Sequence, residues 1–114
     1  MTIDAYTFGA IRINGEPFTS DVIIWPDHVT CPWWRARGHA LAVGDLAEVL
    51  AAPPRLLVIG TGYYGRMAVP AETLSALQAR GIEPHVSRTT EAVKEFNRLA
   101  RQCADVVAAF HLTC

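Results

Sequence analysis

Three glycines in the segment "LLVIGTGYYGRMAVP", Leu56–Pro70, follow the pattern G-x-G-x-x-G. This pattern forms a dinucleotide-binding loop when it follows a buried strand and opens a helix, whose free N–H groups bind the pyrophosphate. Here Gly65 is followed by alternating residues and then by Pro70, which is common at the start of a helix but rare inside one. We therefore predict that residues 65–69 are extended or irregular, that a helix begins near Pro70, and that the glycines serve a tight turn rather than NAD(P) binding.

The same segment supports a second hypothesis, the binding of a small anion. A single helix separates the strand at Leu56–Ile59 from the one in "IEPHVS", so we expect the two strands to be parallel, with both carboxyl ends at one edge of a sheet. There Gly60, Thr61 and Gly62 would offer backbone N–H groups and a hydroxyl. Arg88 would offer a planar set of donors suited to a carboxylate or phosphate.

The remaining residue types that could do chemistry are histidines and cysteines. His39 could be a ligand or a base, although a single histidine is more often a hydrogen-bonded structural residue. His111 and Cys114 are three apart at the end of a predicted strand and so point to opposite faces, which argues against a shared metal. An odd number of cysteines without an export signal favours free thiols. We predict no metal, no cofactor and no disulfide.

Length and composition limit the function classes. A chain of 114 residues is expected to form one domain, residues 1–114. It is 51% hydrophobic and 18% charged, more apolar than ordinary domains, which suggests a protein partner or a homo-oligomer. The net charge is −1 and the basic residues are scattered, so we expect neither nucleic acid nor anionic lipid as a partner. No apolar stretch is long enough to span a membrane, and we expect a cytoplasmic protein.

The first quarter of the chain has the pattern of antiparallel strands. The alternation of apolar residues slips beside Gly9, which predicts a bulge or bend, and Asn14-Gly15 predicts a tight hairpin turn. We expect the returning segment to continue through "SDVIIW". The stretch "CPWWRARGH" allows at most a short strand at Trp33–Ala36.

After this region helices and strands alternate. The predicted order is a helix from Asp45 to before Pro53, a strand at Leu56–Ile59, a helix from Pro70, the strand "IEPHVS", a helix capped by Thr89 or Thr90, and the strand "VVAAFHL". This order predicts an α/β fold in which a mixed central sheet carries helices on its faces, preceded by an antiparallel β-hairpin region. Trp25, Trp33 and Trp34 are either a recognition surface or a cap on the core of the hairpin.

The segments "YTFGAIRING", "SDVIIWP", "GHAL", "LLVIGTGYYG" and "AAFHLTC", in this order and spacing, resemble a known family. It is the Mth-type family of small domains of unknown function, which includes an adipogenesis-associated protein and a mitochondrial complex I assembly factor. The resemblance covers essentially the whole chain. It implies an α/β fold with a mixed sheet, and it implies no catalytic residues.

These observations favour a protein-interaction or assembly module that is not an enzyme, because charge is low, tryptophans are several, and no nucleophile lies beside a base in the sequence. The alternative is a binder of a small anionic metabolite, or an enzyme, with its site at the carboxyl ends of the strands. Its site residues would be Gly60, Thr61, Gly62, Arg88 and His39.

Overall fold

The chain folds around two β-sheets in a computed structural model that describes all 114 residues. The first sheet is antiparallel, in the order β1-β2-β3. The second has five strands, in the order β5-β4-β8-β6-β7. The strands are β1 (Ile3–Thr7), β2 (Ala10–Ile13), β3 (Glu16–Phe18), β4 (Val22–Ile24), β5 (Val29–Thr30), β6 (Leu56–Thr61), β7 (Glu83–Ser87) and β8 (Val106–His111). A 3₁₀ turn (Val43–Leu46) leads into α1 (Ala47–Ala51), followed by α2 (Ala71–Ala79) and α3 (Thr89–Gln102).

The five-stranded sheet is mixed because β6 is parallel to both β7 and β8, whereas β4 runs antiparallel to β8. The predicted α/β fold with a mixed sheet is therefore confirmed. So are the buried strand that begins at Leu56 and the late start of the next helix. Residues 65–69 are irregular, and α2 begins at Ala71 with Pro70 as its N-cap.

Side chains of the central strands alternate between two cores. On one face Val58 and Phe110 pack with Phe96 of α3 and with the three-stranded sheet. On the other face Leu57 and Ile59 pack with buried residues of α1 and α2. Both faces of β6 and β8 are thus covered, which explains their continuous apolar sequences.

Two predictions for the first quarter are wrong in detail. Gly9 belongs to a two-residue turn between β1 and β2, since Thr7 pairs with Ala10, and the register shift lies earlier, between Ile3 and Ala5. The returning hairpin strand ends at Phe18, and Val22–Ile24 pairs with β8 instead. All three residues of β4 are buried, so they need a sheet that is covered on both faces.

No strand forms at Trp33–Ala36, where the backbone is irregular. Trp25 and Trp33 are buried in the core beside α1 and α2 rather than over the hairpin, whereas Trp34 is 79% exposed. The interpretation of the tryptophans as a cap on the hairpin core is therefore wrong. Trp34 is the one tryptophan open to solvent.

Two helix starts also differ from prediction. Asp45 lies inside the 3₁₀ turn and its carboxylate accepts from the backbone N–H groups of Ala36 and Ala42. Thr89 is the first residue of α3, with Arg88 at the N-cap. The hydroxyl of Thr89 is used elsewhere, because it donates to the carbonyl oxygen of His111 at 2.6 Å.

Candidate functional site

One edge of the five-stranded sheet brings together the candidate residues. The parallel strands β6, β7 and β8 all end there, and β4 begins there because it runs the other way. Thr61 is paired with His111, and Gly60 with Ser87. The prediction that the loops after β6 and β7 are neighbours is confirmed.

The turn after β6 does not have free donors. Gly62 has a φ of +108°, and its N–H donates to the hydroxyl of Thr89 at 2.9 Å. The hydroxyl of Thr61 donates to the carbonyl oxygen of Ser87. The expectation that this turn offers exposed N–H groups and a free hydroxyl is therefore wrong for Thr61 and Gly62. Gly60 is needed for packing, since a Cβ there would lie 2.7 Å from the Thr89 hydroxyl and 2.9 Å from Phe110.

The last two residues of the chain fill the space beside this turn. The N–H of Tyr63 donates to the carbonyl oxygen of Thr113 at 2.6 Å, and the N–H of Arg66 donates to Cys114 O at 2.9 Å. A Cβ on Gly62 would lie 2.4 Å from the backbone carbon of Cys114. Residues 113–114 therefore occupy the place at which a ligand would meet the N–H groups of the turn.

Arg88 lies at this edge and is exposed. Its Nε and Nη2 groups both donate to the carbonyl oxygen of Tyr63, at 3.0 and 2.8 Å. Its aliphatic part packs on Gly65, where a Cβ would lie 2.9 Å from Cγ of Arg88. Arg88 thus binds the loop at residues 62–66 and forms no ion pair.

Three exposed aromatic side chains cluster on that loop and on the neighbouring β1–β2 turn. Phe8 is 49% exposed, Tyr63 37% and Tyr64 62%, and we call these three residues the aromatic surface. The ring centroids of Tyr63 and Tyr64 are 5.1 Å apart, and that of Phe8 lies 5.9 Å from Tyr63 and 6.0 Å from Tyr64. Tyr6 continues the cluster inward, 6.3 Å from Tyr63.

The opposite half of the same edge holds a buried polar cluster formed by Asp21, Arg35 and His111. Oδ2 of Asp21 accepts from Nη1 of Arg35 at 2.7 Å and lies 2.9 Å from Nδ1 of His111. Oδ1 accepts from the N–H of Leu112 at 2.7 Å. Burial alone would raise the pKa of Asp21, but the hydrogen bonds from His111, Leu112 and Arg35 outweigh it and hold this pKa below its ordinary value.

The hydrogen bonds of this cluster select one form of His111. Because a carboxylate only accepts, Nδ1 of His111 carries the proton that Asp21 binds. A protonated Nδ1 cannot accept a hydrogen bond from Nη2 of Arg35, although the two nitrogens are 2.9 Å apart. Nη2 donates instead to the carbonyl oxygen of Gly38, at 3.2 Å. Nε2 of His111 and Nε of Arg35 are buried without a hydrogen-bond partner. His39 lies next to this cluster, its ring centroid 6.3 Å from that of His111.

The amino-acid sequence matches, over residues 3–111, a family model described as a protein of unknown function (DUF498/DUF598). The chain belongs to this family. It is similar to a conserved hypothetical protein of Pyrococcus horikoshii OT3, at 25% identity over 100% of both chains, with a TM-score of 0.79. A Bartonella henselae protein described as an outer membrane protein is 26% identical, over 98% of this chain and 94% of that one, with a TM-score of 0.80.

A Mth938-like domain of Bordetella pertussis has the same fold, with a TM-score of 0.79 at 21% identity over 97% of this chain and 85% of that one. The resemblance to the Mth-type domains is thus confirmed. No helix of this DUF498/DUF598 domain is long and apolar enough to cross a membrane. The three cysteines are free thiols, and no three histidine, cysteine or acidic side chains lie close enough to hold a metal ion.

Sequence reasoning missed two members of the polar cluster and the position of His39. Asp21 meets His111 because β4 pairs with β8, and Arg35, 14 residues further along the chain, reaches Asp21 from an irregular segment. One signal was available, since Asp21 directly precedes an apolar strand whose start must lie at an edge of the sheet. His39 lies beside His111, in the polar cluster's half of this edge, whereas Arg88 binds the loop after β6.

Proposed function

We propose that this domain is a protein-interaction module that binds its partner through the aromatic surface. The observation that carries the proposal is the exposure of three contacting aromatic rings on one side of the molecule. Isolated exposed apolar residues are ordinary, whereas contiguous ones are typical of interaction sites. Tyrosine and arginine are also enriched among the residues that contribute most to binding at protein interfaces.

The loop that carries Tyr63 and Tyr64 is held by hydrogen bonds to three residues in other parts of the chain. Arg88 binds the carbonyl oxygen of Tyr63, Thr113 binds its N–H, and Thr89 binds both the N–H and the carbonyl oxygen of Gly62. A surface that is ordered before binding loses little conformational entropy when the partner docks. The hydrogen bonds that occupy the turn therefore support a docking role.

The charges around the aromatic surface indicate the chemistry of the partner. Arg66 and Arg88 are exposed on or beside the loop, and residues 56–71 contain no acidic side chain. A partner segment with apolar side chains flanked by carboxylates complements this arrangement. The resemblance to a family that includes an assembly factor supports an assembly role. We also propose that the protein acts in the cytoplasm.

Site-specific photo-crosslinking in the source cells tests this proposal. A benzophenone amino acid at Tyr64 is expected to give a discrete adduct with another protein. The same group at Gln78, which is exposed on α2, is the matched control and is expected to give none. The same adducts from both positions, or none from Tyr64, would overturn the proposal. An adduct with a second copy of this chain would contradict binding to a different protein and would indicate self-association.

The alternative proposal is a small-anion site at Gly60, Thr61, Gly62, Arg88 and His39. Its support is the exposed guanidinium of Arg88 at the strand ends, and against it stand the hydrogen bonds that already occupy the turn. Inorganic phosphate at about 100 times its Kd would stabilise the fold by about 2.7 kcal/mol. Such stabilisation in the wild type, absent in Arg88→Ala, would favour this alternative, and no stabilisation by phosphate would reject it.

A further inference from the structure

A second surface, unrelated to the aromatic surface, has the chemistry of a binding site. It is a cavity of about 300 Å³ between the ends of β4 and β5, the segment that contains Pro32, and the turn that leads into α1. Trp33 and Trp34 line it together with Asp45 and Glu48. Its volume is at the lower end of the range of small-molecule sites.

The walls of this cavity are held in place from within the fold. The Nε1 group of Trp33 donates to the carbonyl oxygen of Asp45 at 2.9 Å, and the guanidinium of Arg35 stacks on the ring of Trp33 at 5.0 Å. The carboxylate of Asp45 accepts two backbone N–H groups. The polar groups of Trp33 and Asp45 are therefore already hydrogen-bonded within the protein, and few of them can bind a ligand.

Trp34 and Glu48, in contrast, are free to contact a ligand. Trp34 is the most exposed large hydrophobic side chain of the protein, at 79%. Glu48 is exposed, and its carboxylate forms no ion pair. The residues that line the cavity include two acids and no base, so its electrostatic potential favours a cation.

An exposed indole and an unpaired carboxylate that line the same cavity complement an organic ammonium group. The π-system attracts the positive charge together with its methyl or methylene shell, and the carboxylate supplies the opposite charge. We propose that this cavity binds a small organic ammonium ligand, with Trp34 stacking on it and Glu48 neutralising it. The shared chemistry also fits a methylated lysine side chain, and the experiment separates the two sources.

The test is a titration followed by NMR of the indole N–H groups, with choline as the probe. The protein has three tryptophans, and Trp34→Ala identifies the Trp34 resonance by its loss. Choline is expected to shift that resonance with saturation. Its neutral carbon isostere, 3,3-dimethyl-1-butanol, is expected to bind about fivefold more weakly or worse because it lacks the charge.

Glu48→Gln is expected to weaken choline binding by about fivefold, since it removes the charge and keeps the shape. Glu72→Gln is the matched control, because Glu72 is also an exposed acid in the first turn of a helix, on α2. It is expected to leave choline binding unchanged. For Trp34→Ala, the backbone resonances of Gly44 and Ala47 report on binding in place of the indole.

Any of three results would overturn the proposal. Choline and the neutral isostere could bind equally well, choline could give no saturable shift, or both Glu48→Gln and Trp34→Ala could bind choline as tightly as the wild type. A capped trimethyllysine that binds more tightly than choline would support the ammonium site and assign its ligand to a protein chain. The reverse order would assign it to a free amine. Neither result depends on the aromatic surface.

Discussion

The geometry of the loop at residues 62–66 is tested most directly at Gly62. Its φ of +108° is one that L residues rarely adopt, and a Cβ would lie 2.4 Å from the Cys114 carbon and 2.7 Å from the Thr113 oxygen. Since those contacts are with backbone, a Gly62→Ala substitution must displace residues 113–114 or bend the loop. Displacement breaks two hydrogen bonds, from the N–H groups of Tyr63 and Arg66.

The cost can be worked out from these contacts. Backbone strain contributes about 1–3 kcal/mol, and each lost hydrogen bond contributes about 1 kcal/mol, so we expect Gly62→Ala to lower the free energy of unfolding by about 3–5 kcal/mol. For a domain of this size that is a fall in Tm of roughly 10–20 °C. Urea denaturation and calorimetry measure the two quantities.

Gly38→Ala is the matched control. Gly38 has no positive φ, and a Cβ there would meet no atom within 4 Å, so we expect a change within about 0.5 kcal/mol. A Gly62→Ala protein that is as stable as Gly38→Ala would refute the conclusion that residues 113–114 are packed against the turn. It would also reopen the turn as a place for a ligand.

The remaining predictions concern Arg88, Asp21 and Tyr6. Arg88→Ala removes two hydrogen bonds to Tyr63 and is expected to cost about 1 kcal/mol in urea denaturation, with faster amide exchange in the loop; unchanged exchange would contradict this. The pKa of Asp21 is lowered from its ordinary value of 3.8, so its ionised carboxylate stabilises the fold at pH values above 3.8. This stability is lost as the pH falls through the lower folded-state pKa. Asp21→Asn should cost about 3 kcal/mol at pH 7 by leaving Arg35 buried without its partner, and the loss should shrink toward pH 2; a pH-independent loss would argue against the ion pair. Burial raises the pKa of Tyr6 from 10.0 to about 12, so its contribution to stability is present below pH 10 and is lost as pH rises toward 12. Absorbance titration is expected to show one tyrosine ionising near pH 12 that is missing in Tyr6→Phe; normal titration of all three would be the contrary result.

Local patterns in the sequence were sufficient to predict much of the framework. Pro70 marked the start of α2 because proline is common in the first turn of a helix and rare inside one, and the apolar run from Leu56 marked a strand because both its faces are buried. The parallel pairing of β6 and β7 followed from the single helix between them. Each of these inferences starts from the residues of one short segment or from the order of neighbouring elements.

The contacts that decide the candidate site connect distant parts of the chain, and local patterns could not reveal them. Thr89 looked like a helix cap, yet its hydroxyl bonds His111, 22 residues away. The backbone of Cys114 fills the space beside Gly62, 52 residues earlier in the chain, and no local pattern indicates this contact. Phe8 and Tyr64 meet only because the β1–β2 turn lies against the end of β8, where the N–H of Gly9 donates to the carbonyl oxygen of Leu112.

The most direct test of the aromatic surface is the affinity of the purified partner, identified by crosslinking, for three versions of the protein. Titration calorimetry would compare the wild type, Tyr64→Ala and Gln78→Ala. Because Tyr64 is 62% exposed and carries no structural hydrogen bond through its side chain, its removal should leave the fold intact. We expect Tyr64→Ala to raise the Kd by about 30-fold, the effect of losing about 2 kcal/mol at a binding hot spot, and Gln78→Ala to leave it unchanged. A Tyr64→Ala protein that binds the partner as tightly as the wild type would contradict the proposal.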